Sequence, residues 1–475
     1  MSADRPINAD VPATDAPAAD ADKPKSEGDK PKFQAWGKPA SSPSKAGPTK
    51  EQAGKPAPTK SPRPKRQPIP GAIKAIAALV VVAIVFIVAA VLGGSGGSKN
   101  DSGSAGPAPV PAPAAENEAA QTPATQTTEE LGYPGFATGN TTRVGGSDPA
   151  TNAAGVALAA FPSTTPAQRP AAVTLVDEND WAGAIAAAVL MSAPIRAPVL
   201  ISAADALPDP TAEALAALDP RGDSSTKGAT AFAIGDVATP DDSGKVTAVK
   251  AGSAASTAAA IAALRDRLFG GAPGHIVIAP AGHADFAMPA AAWAARSGDP
   301  VLFAEGDELP RPTAATLKRH EDVPVYVLGP SSAISSKAIR AIAGIGNEVH
   351  RVSGEDPVAN AIAFARYADG DFGWNVNDPG HGFVLARDDS PLDAAAAAPL
   401  SASGTWGPLL LTDSATTLPP ALREYFLDVK PGYTTNPTRA FYNHVWVIGD
   451  QEAIDVQQQA EVDELAELAK IGGGE

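Results

Sequence analysis

From residue 141 onward, short runs that are apolar at nearly every position alternate with longer alanine-rich stretches, and the alternation recurs in three successive blocks. The first apolar runs fall at 172–176, 275–279 and 382–386, and the second at 198–202, 300–304 and 408–412. Between them lie the alanine-rich stretches 181–193, 287–296 and 392–400. Leu207-Pro208, Leu309-Pro310 and Leu418-Pro419 then introduce a further helix, such as 211–218, and a third apolar run closes on Ile234-Gly235, Leu328-Gly329 or Ile448-Gly449. Strands with no polar alternation are covered on both faces, and strands separated by helices favour parallel pairing. Each block therefore predicts a small doubly wound α/β unit, Rossmann- or flavodoxin-like, with a parallel sheet.

The openings of the blocks repeat too. Arg143-Val144-Gly145-Gly146-Ser147-Asp148-Pro149 and Arg351-Val352-Ser353-Gly354-Glu355-Asp356-Pro357 each lead into an alanine-rich run, and a degraded middle copy begins at 249–253. Asp148 and Asp356 are placed as N-caps and the prolines after them as first helical residues. Gly146 and Gly252 stand 106 residues apart, and Gly252 and Gly354 stand 102 apart, a period suited to a small domain and too long for a solenoid unit. The copies are bounded at 141–246, 247–347 and 348–470.

The first 140 residues read differently. Residues 1–71, rich in Lys, Pro, Ala, Ser and Asp with few large apolar side chains, predict a disordered basic arm. Residues 75–92 are eighteen consecutive apolar positions, about 27 Å as a helix, which predicts a transmembrane span over 72–93. Lys60, Arg63, Lys65, Arg66 and Lys74 flank it on one side, and Gly93-Gly94-Ser95-Gly96-Gly97 on the other. The positive-inside rule then places the N-terminus in the cytoplasm and the three copies outside, on a single-pass membrane anchor. Residues 94–140, rich in Gly, Ser, Pro and Ala, read as an extracytoplasmic linker. Residues 1–75 hold 14 Lys and Arg against 8 Asp and Glu, which leaves 23 against 45 beyond them, so the part placed outside carries −22.

The ordered landmarks of the three blocks resemble the cell wall-binding repeat 2 family of Gram-positive surface proteins, over about 141–470. The resemblance rests on the Gly-Ser-Asp or Gly-Glu-Asp openings, the Pro-Val-Leu or Pro-Leu-Leu second strands, the Leu-Pro helix starts and the Ile-Gly or Leu-Gly strand ends. It implies three units packed around a pseudo-threefold axis that bind a secondary wall polymer or glycan without covalent attachment. The chain departs from the family's pattern at several places. Pro149-Ala150 and Pro357-Val358 replace Arg-Tyr of the opening, Asn152 and Asn360 replace its Thr, and the Asp of Asp-Ala-Leu persists only as Asp393, with Gly183 and Met288 standing in its place elsewhere.

An acidic exterior on average repels an anionic polymer, an effect screened beyond roughly 8 Å at physiological salt, so binding needs local basic groups. Arg143 and Arg351 at the openings and Arg387 just past a strand end supply them. With the opening positions Asp148, Asn152, Asp356 and Asn360 they form the candidate ligand-binding set. The chain has no cysteine, which excludes thiol catalysis and Cys-based metal sites. It holds no nucleophile elbow, Walker loop, dinucleotide fingerprint or zincin helix, so no cofactor, metal or enzyme activity and no nucleic acid partner is expected. Trp181, Trp293, Trp374 and Trp406 are candidates for stacking on sugars. Residues 369–381 form an insertion in the third copy, with Phe372, Trp374, Asn375, Asn377 and Asp378, and are the first place to seek a function specific to this chain. The leading expectation is a membrane-anchored wall-binding protein. The alternatives are a scaffold module with an envelope protein partner and, last, an envelope hydrolase using Asp388, Asp389 and Asp393.

Overall fold

The computed structural model describes residues 136–137, 139–240, 244–250, 252–402 and 407–471. Among them no helix is long and apolar enough to cross a membrane, which corrects the expectation of a single-pass anchor. The arm at 1–71, the stretch 72–93 to which that expectation was attached, and most of the linker at 94–140 lie outside the described residues, as does Trp406.

The chain opens with β1 (Phe136–Ala137), antiparallel to β2 (Thr141–Val144). There follow α1 (Pro149–Ala160), β3 (Val173–Asp177), α2 (Trp181–Ala187), β4 (Val199–Ser202), α3 (Asp209–Leu218), β5 (Ala231–Ile234) and β6 (Val246–Val249). The second copy runs through α4 (Ala254–Phe269), β7 (Ile276–Pro280), α5 (Ala284–Ala287), α6 (Pro289–Ser297), β8 (Val301–Ala304), α7 (Arg311–Arg319), β9 (Val325–Leu328), α8 (Ser336–Ala343) and β10 (Val349–Val352). The third has α9 (Pro357–Arg366), β11 (Gly382–Arg387), α10 (Pro391–Ala402), β12 (Leu409–Thr412), α11 (Pro420–Asp428), β13 (Gly432–Tyr433), β14 (His444–Ile448), α12 (Val456–Ala466) and β15 (Ala469–Lys470). The helix expected over 287–296 begins afresh at Pro289, whose missing N–H suits a first turn and breaks the continuity with α5.

Besides a separate two-stranded parallel pair of β13 and β15, three large sheets of parallel strands result, with orders β4-β3-β5-β6, β8-β7-β9-β10 and β12-β11-β14-β2, the last extended by antiparallel β1. In each, the strand order reverses beside the first strand, as in doubly wound folds. The fourth strand of every sheet comes from the opening of the next copy: β6 pairs with β5, β10 with β9, and β2 with β14. The last pairing sets Thr141 to Val144 against Val445 to Ile448 and joins the two ends of the repeat array, so the three sheets share strands in a closed cyclic order.

Alanine explains the centre. Helices α2, α6 and α10, each following the first strand of its sheet, pack on one another. Their contact faces are small and fully buried: Ala184, Ala186 and Ala187 in α2, Ala290 to Ala292 and Ala294 in α6, Ala394 to Ala398 in α10. A methyl side chain costs no rotamer entropy and lets helix axes approach closely. The alanine-rich pattern is therefore the sequence trace of a three-helix junction.

Candidate functional site

The opening turns are built from a buried amide. Asn152 Oδ1 accepts from the Gly146 N–H at 2.8 Å, and Asn360 Oδ1 accepts from that of Gly354 at 3.3 Å. Gly145, at φ +114°, has no space for a side chain, since a Cβ there would lie 2.0 Å from Asn152 Oδ1. Asp148 caps α1 by accepting from the Ala150 and Thr151 N–H groups, both at 3.0 Å, and Asp356 caps α9 by accepting from that of Ala359 at 2.7 Å. These four residues thus first serve to hold the chain as it enters a helix.

The other end of each asparagine reaches into a different copy. Asn152 Nδ2 donates to Asp393 Oδ1 at 2.8 Å, and Asn360 Nδ2 donates to the Phe286 carbonyl at 3.4 Å. Strand register aligns Leu385 with Ile278 and Leu175 through their second-strand partners Leu410, Leu302 and Leu200. On that register the second-copy counterpart of Asp393 is Phe286, two residues before Met288. In the middle copy Thr257 takes the asparagine position, and its buried hydroxyl has no partner. Asp393 itself is buried, and burial pushes its carboxyl up to about 6, with the Asn152 amide opposing the rise and Asp148 and Asp389 adding to it.

Arg143 and Arg351 lie elsewhere than solvent. Arg143 is 5 % exposed, and all five of its N–H donors are used. Its Nε and one terminal nitrogen donate to Gln459 Oε1, and the terminal nitrogens reach the carbonyls of Gly449, Asp450 and Ile454 at 2.5–2.9 Å. Burial lowers its pKa to about 10, against the raising effect of Asp450 and Asp455. Arg351 makes the matching contacts, donating to the Gly329 and Ile334 carbonyls. Both arginines, one strand over from the left-handed glycine that ends a neighbouring sheet strand (φ +93° and +96°), stitch the shared strand to the turn beyond it. Their guanidinium groups face carbonyl oxygens of the chain. Arg387 stays at the third sheet's carboxyl edge, donating to Asp389 at 2.8 Å, with its Nε buried and unpartnered.

Crevices open at the carboxyl ends of the strands, where doubly wound sheets take ligands. One of about 420 Å³ is lined by Asp148, Pro149, Glu178, Asn179, Pro208 and Leu392, and joins the first copy to the third. A second, of about 520 Å³, lies in the middle copy among Ala254, Gly282, His283, Glu305 and Ser332. The edge is acidic. The Asp388 carboxyl is raised by burial and then by Asp389, with Asp413 and Asp285 adding to the effect and Arg387 opposing it.

The aromatic insertion at 369–381 is packed into the second copy. Phe372 is 1 % exposed and stacks on Tyr326 with centroids 3.5 Å apart, and Trp374 meets Trp293 edge to face at 5.4 Å. Around them His275 pairs with Asp371 at 3.2 Å, His350 with Asp369 at 3.3 Å, and the Tyr326 hydroxyl donates to Asp369 at 3.1 Å. His275 also contacts buried Asp299, whose hydrogen bond is the main cause of its raised pKa. Trp293 is 5 % exposed and donates to Asp299 at 2.9 Å, which leaves it no sugar-stacking face, and Trp181, half-buried, meets Phe303 in a T-shaped contact at 5.8 Å. Gln459 carries no motif that marks it in the sequence, because its partners Arg143 and Thr141 lie more than 300 residues away.

Residues 252–339 and 351–458 match the family of cell wall binding domain 2. The match includes the middle copy, whose opening is the most degraded. Two of the solved structures that share the fold are from Clostridium difficile. Cwp8 from Clostridium difficile is similar at 20 % identity and a TM-score of 0.53, over 69 % of this chain and 52 % of its own. Cwp6 from Clostridium difficile has the same identity and TM-score, over 69 % of this chain and 48 % of its own. The chain thus spans about half the length of these structures, and at this identity the likeness shows the fold alone. No curated protein matches the chain.

Proposed function

We propose that the three-copy module is an extracytoplasmic binding unit that attaches without covalent linkage to a secondary polymer of the cell wall. The observation that carries the reading is the cell wall binding domain 2 match on two copies whose sheets are tied, with the first, into one cyclic array. The closed array suits a binding role: its helices meet over alanine, its opening residues are spent on joints between copies, and crevices remain at the carboxyl edges. In those crevices Asp148, Glu178 and Asn179 present acceptors and donors suited to sugar hydroxyls. The test is retention of the full chain on purified wall sacculi, before and after acid extraction of secondary polymers. Retention that disappears with the polymer supports the reading, and absence from intact walls refutes it.

A further inference from the structure

The amino ends of the strands differ among the copies, and the first copy holds there a cleft of about 280 Å³ whose lining includes Phe161, Gln168, Arg169, Arg196, Arg221 and Asp223. Three guanidinium groups in one cleft stand out on a chain with formal net charge −16. Their local acids engage them unevenly. Arg169 pairs with Asp219 and its Nε is buried, so Arg196 and Arg221 are the less engaged cations. Asp223 is committed to the Ser225 backbone and hydroxyl at 2.8 and 2.6 Å, and meets Arg221 only at 3.8 Å. Arg196 is exposed, sits at φ +55°, a left-handed conformation uncommon outside glycine, and has its guanidinium carbon 5.6 Å from the centroid of the Phe161 ring. A backbone held in that region at a cleft wall aims one cation where regular geometry would not.

We infer that this cleft, formed by Arg169, Arg196 and Arg221, is an anion site that takes a phosphate or carboxylate group of a wall polymer. The inference rests on the wall-binding reading for the source of the anion. Planar guanidinium forks suit both oxyanions, and Arg is preferred over Lys where such groups are gripped. The location also resolves the electrostatic conflict, since the acidic carboxyl-edge crevices repel what the amino-end cleft attracts.

The test measures binding of the full chain to two soluble probes, poly(glycerol phosphate) and polygalacturonate, over a salt series, alongside wall retention. The variant is R196Q/R221Q, and the control is R311Q/R340Q on exposed arginines of the second copy. Loss of two charge-assisted contacts is expected to weaken binding to at least one probe by about tenfold or more and to flatten its salt dependence, with the control unchanged. The probe that responds identifies the anion as phosphate or carboxylate. Equal loss in the control, or no binding of either probe by the parent chain, overturns the cleft. Wall retention that R196Q/R221Q leaves unchanged also overturns it and leaves the wall-binding reading standing. Arginine-dependent probe binding by a chain that ignores intact walls does the reverse.

Discussion

The substitution Asp393→Asn isolates the energetics of the joint between the third and first copies. Asp393 is 4 % exposed, and its carboxyl is pushed from 3.8 up to about 6, chiefly by burial. The folded protein therefore holds this proton at a higher pH than the unfolded chain does. Between pH of about 4 and about 6 the folded state binds more protons, so this group's contribution to stability falls as pH rises through that window. Above it the penalty is complete, about 3 kcal/mol for a rise of this size. An asparagine keeps the acceptor that Asn152 Nδ2 uses and removes the charge. D393N is thus expected to be more stable than the parent by about 2–3 kcal/mol at pH 7.5, with the difference shrinking toward zero near pH 4. Urea unfolding followed by tryptophan fluorescence at four or five pH values measures it. Taking the difference between variant and parent cancels the titration of all other acids. A variant that is less stable at pH 7.5, or a difference that does not change with pH, would refute the account of Asp393 as a buried carboxylate whose charge is poorly compensated.

Two further substitutions probe the closure of the ring. Arg143→Lys retains the charge but offers three donors where five are used, and is expected to cost about 2–4 kcal/mol. Hydrogen exchange should show the loss first in β2 and β14, and a cost below about 0.5 kcal/mol would mean the guanidinium cage is not structural. Phe372→Ala empties the aromatic pocket of the second copy and is expected to cost about 3–5 kcal/mol. Faster exchange at Tyr326 and Trp293 should accompany it, whereas an unchanged unfolding midpoint would show that the insertion is not a clamp.

The single-pass anchor expected over residues 72–93 stands against the described helices, none of which is long and apolar enough to span a bilayer, and the stretch itself lies outside the described residues. The arginines show a subtler failure. An arginine in an opening motif reads as a surface cation because its four acceptor atoms do not appear beside it, and Arg143 finds them more than 300 residues away.

What the sequence determined by itself was local. Unbroken apolar runs required strands covered on both faces, Leu-Pro and Asp-Pro marked helix starts, and alanine-rich stretches marked helices between the strands, because each of these depends on a few neighbouring side chains and a fixed backbone period. The recurrence of those landmarks established three copies of one α/β unit. Only the tertiary structure decided how the copies share strands, that β2 closes the third sheet, that Asn152 reaches Asp393, and that the aromatic insertion fills the second copy instead of facing solvent. Each of these depends on hydrogen bonds and buried contacts between residues far apart in the chain, and a backbone edge or a buried amide accepts many partners of equal local quality. Which partner it meets is settled by the packing of all three copies at once.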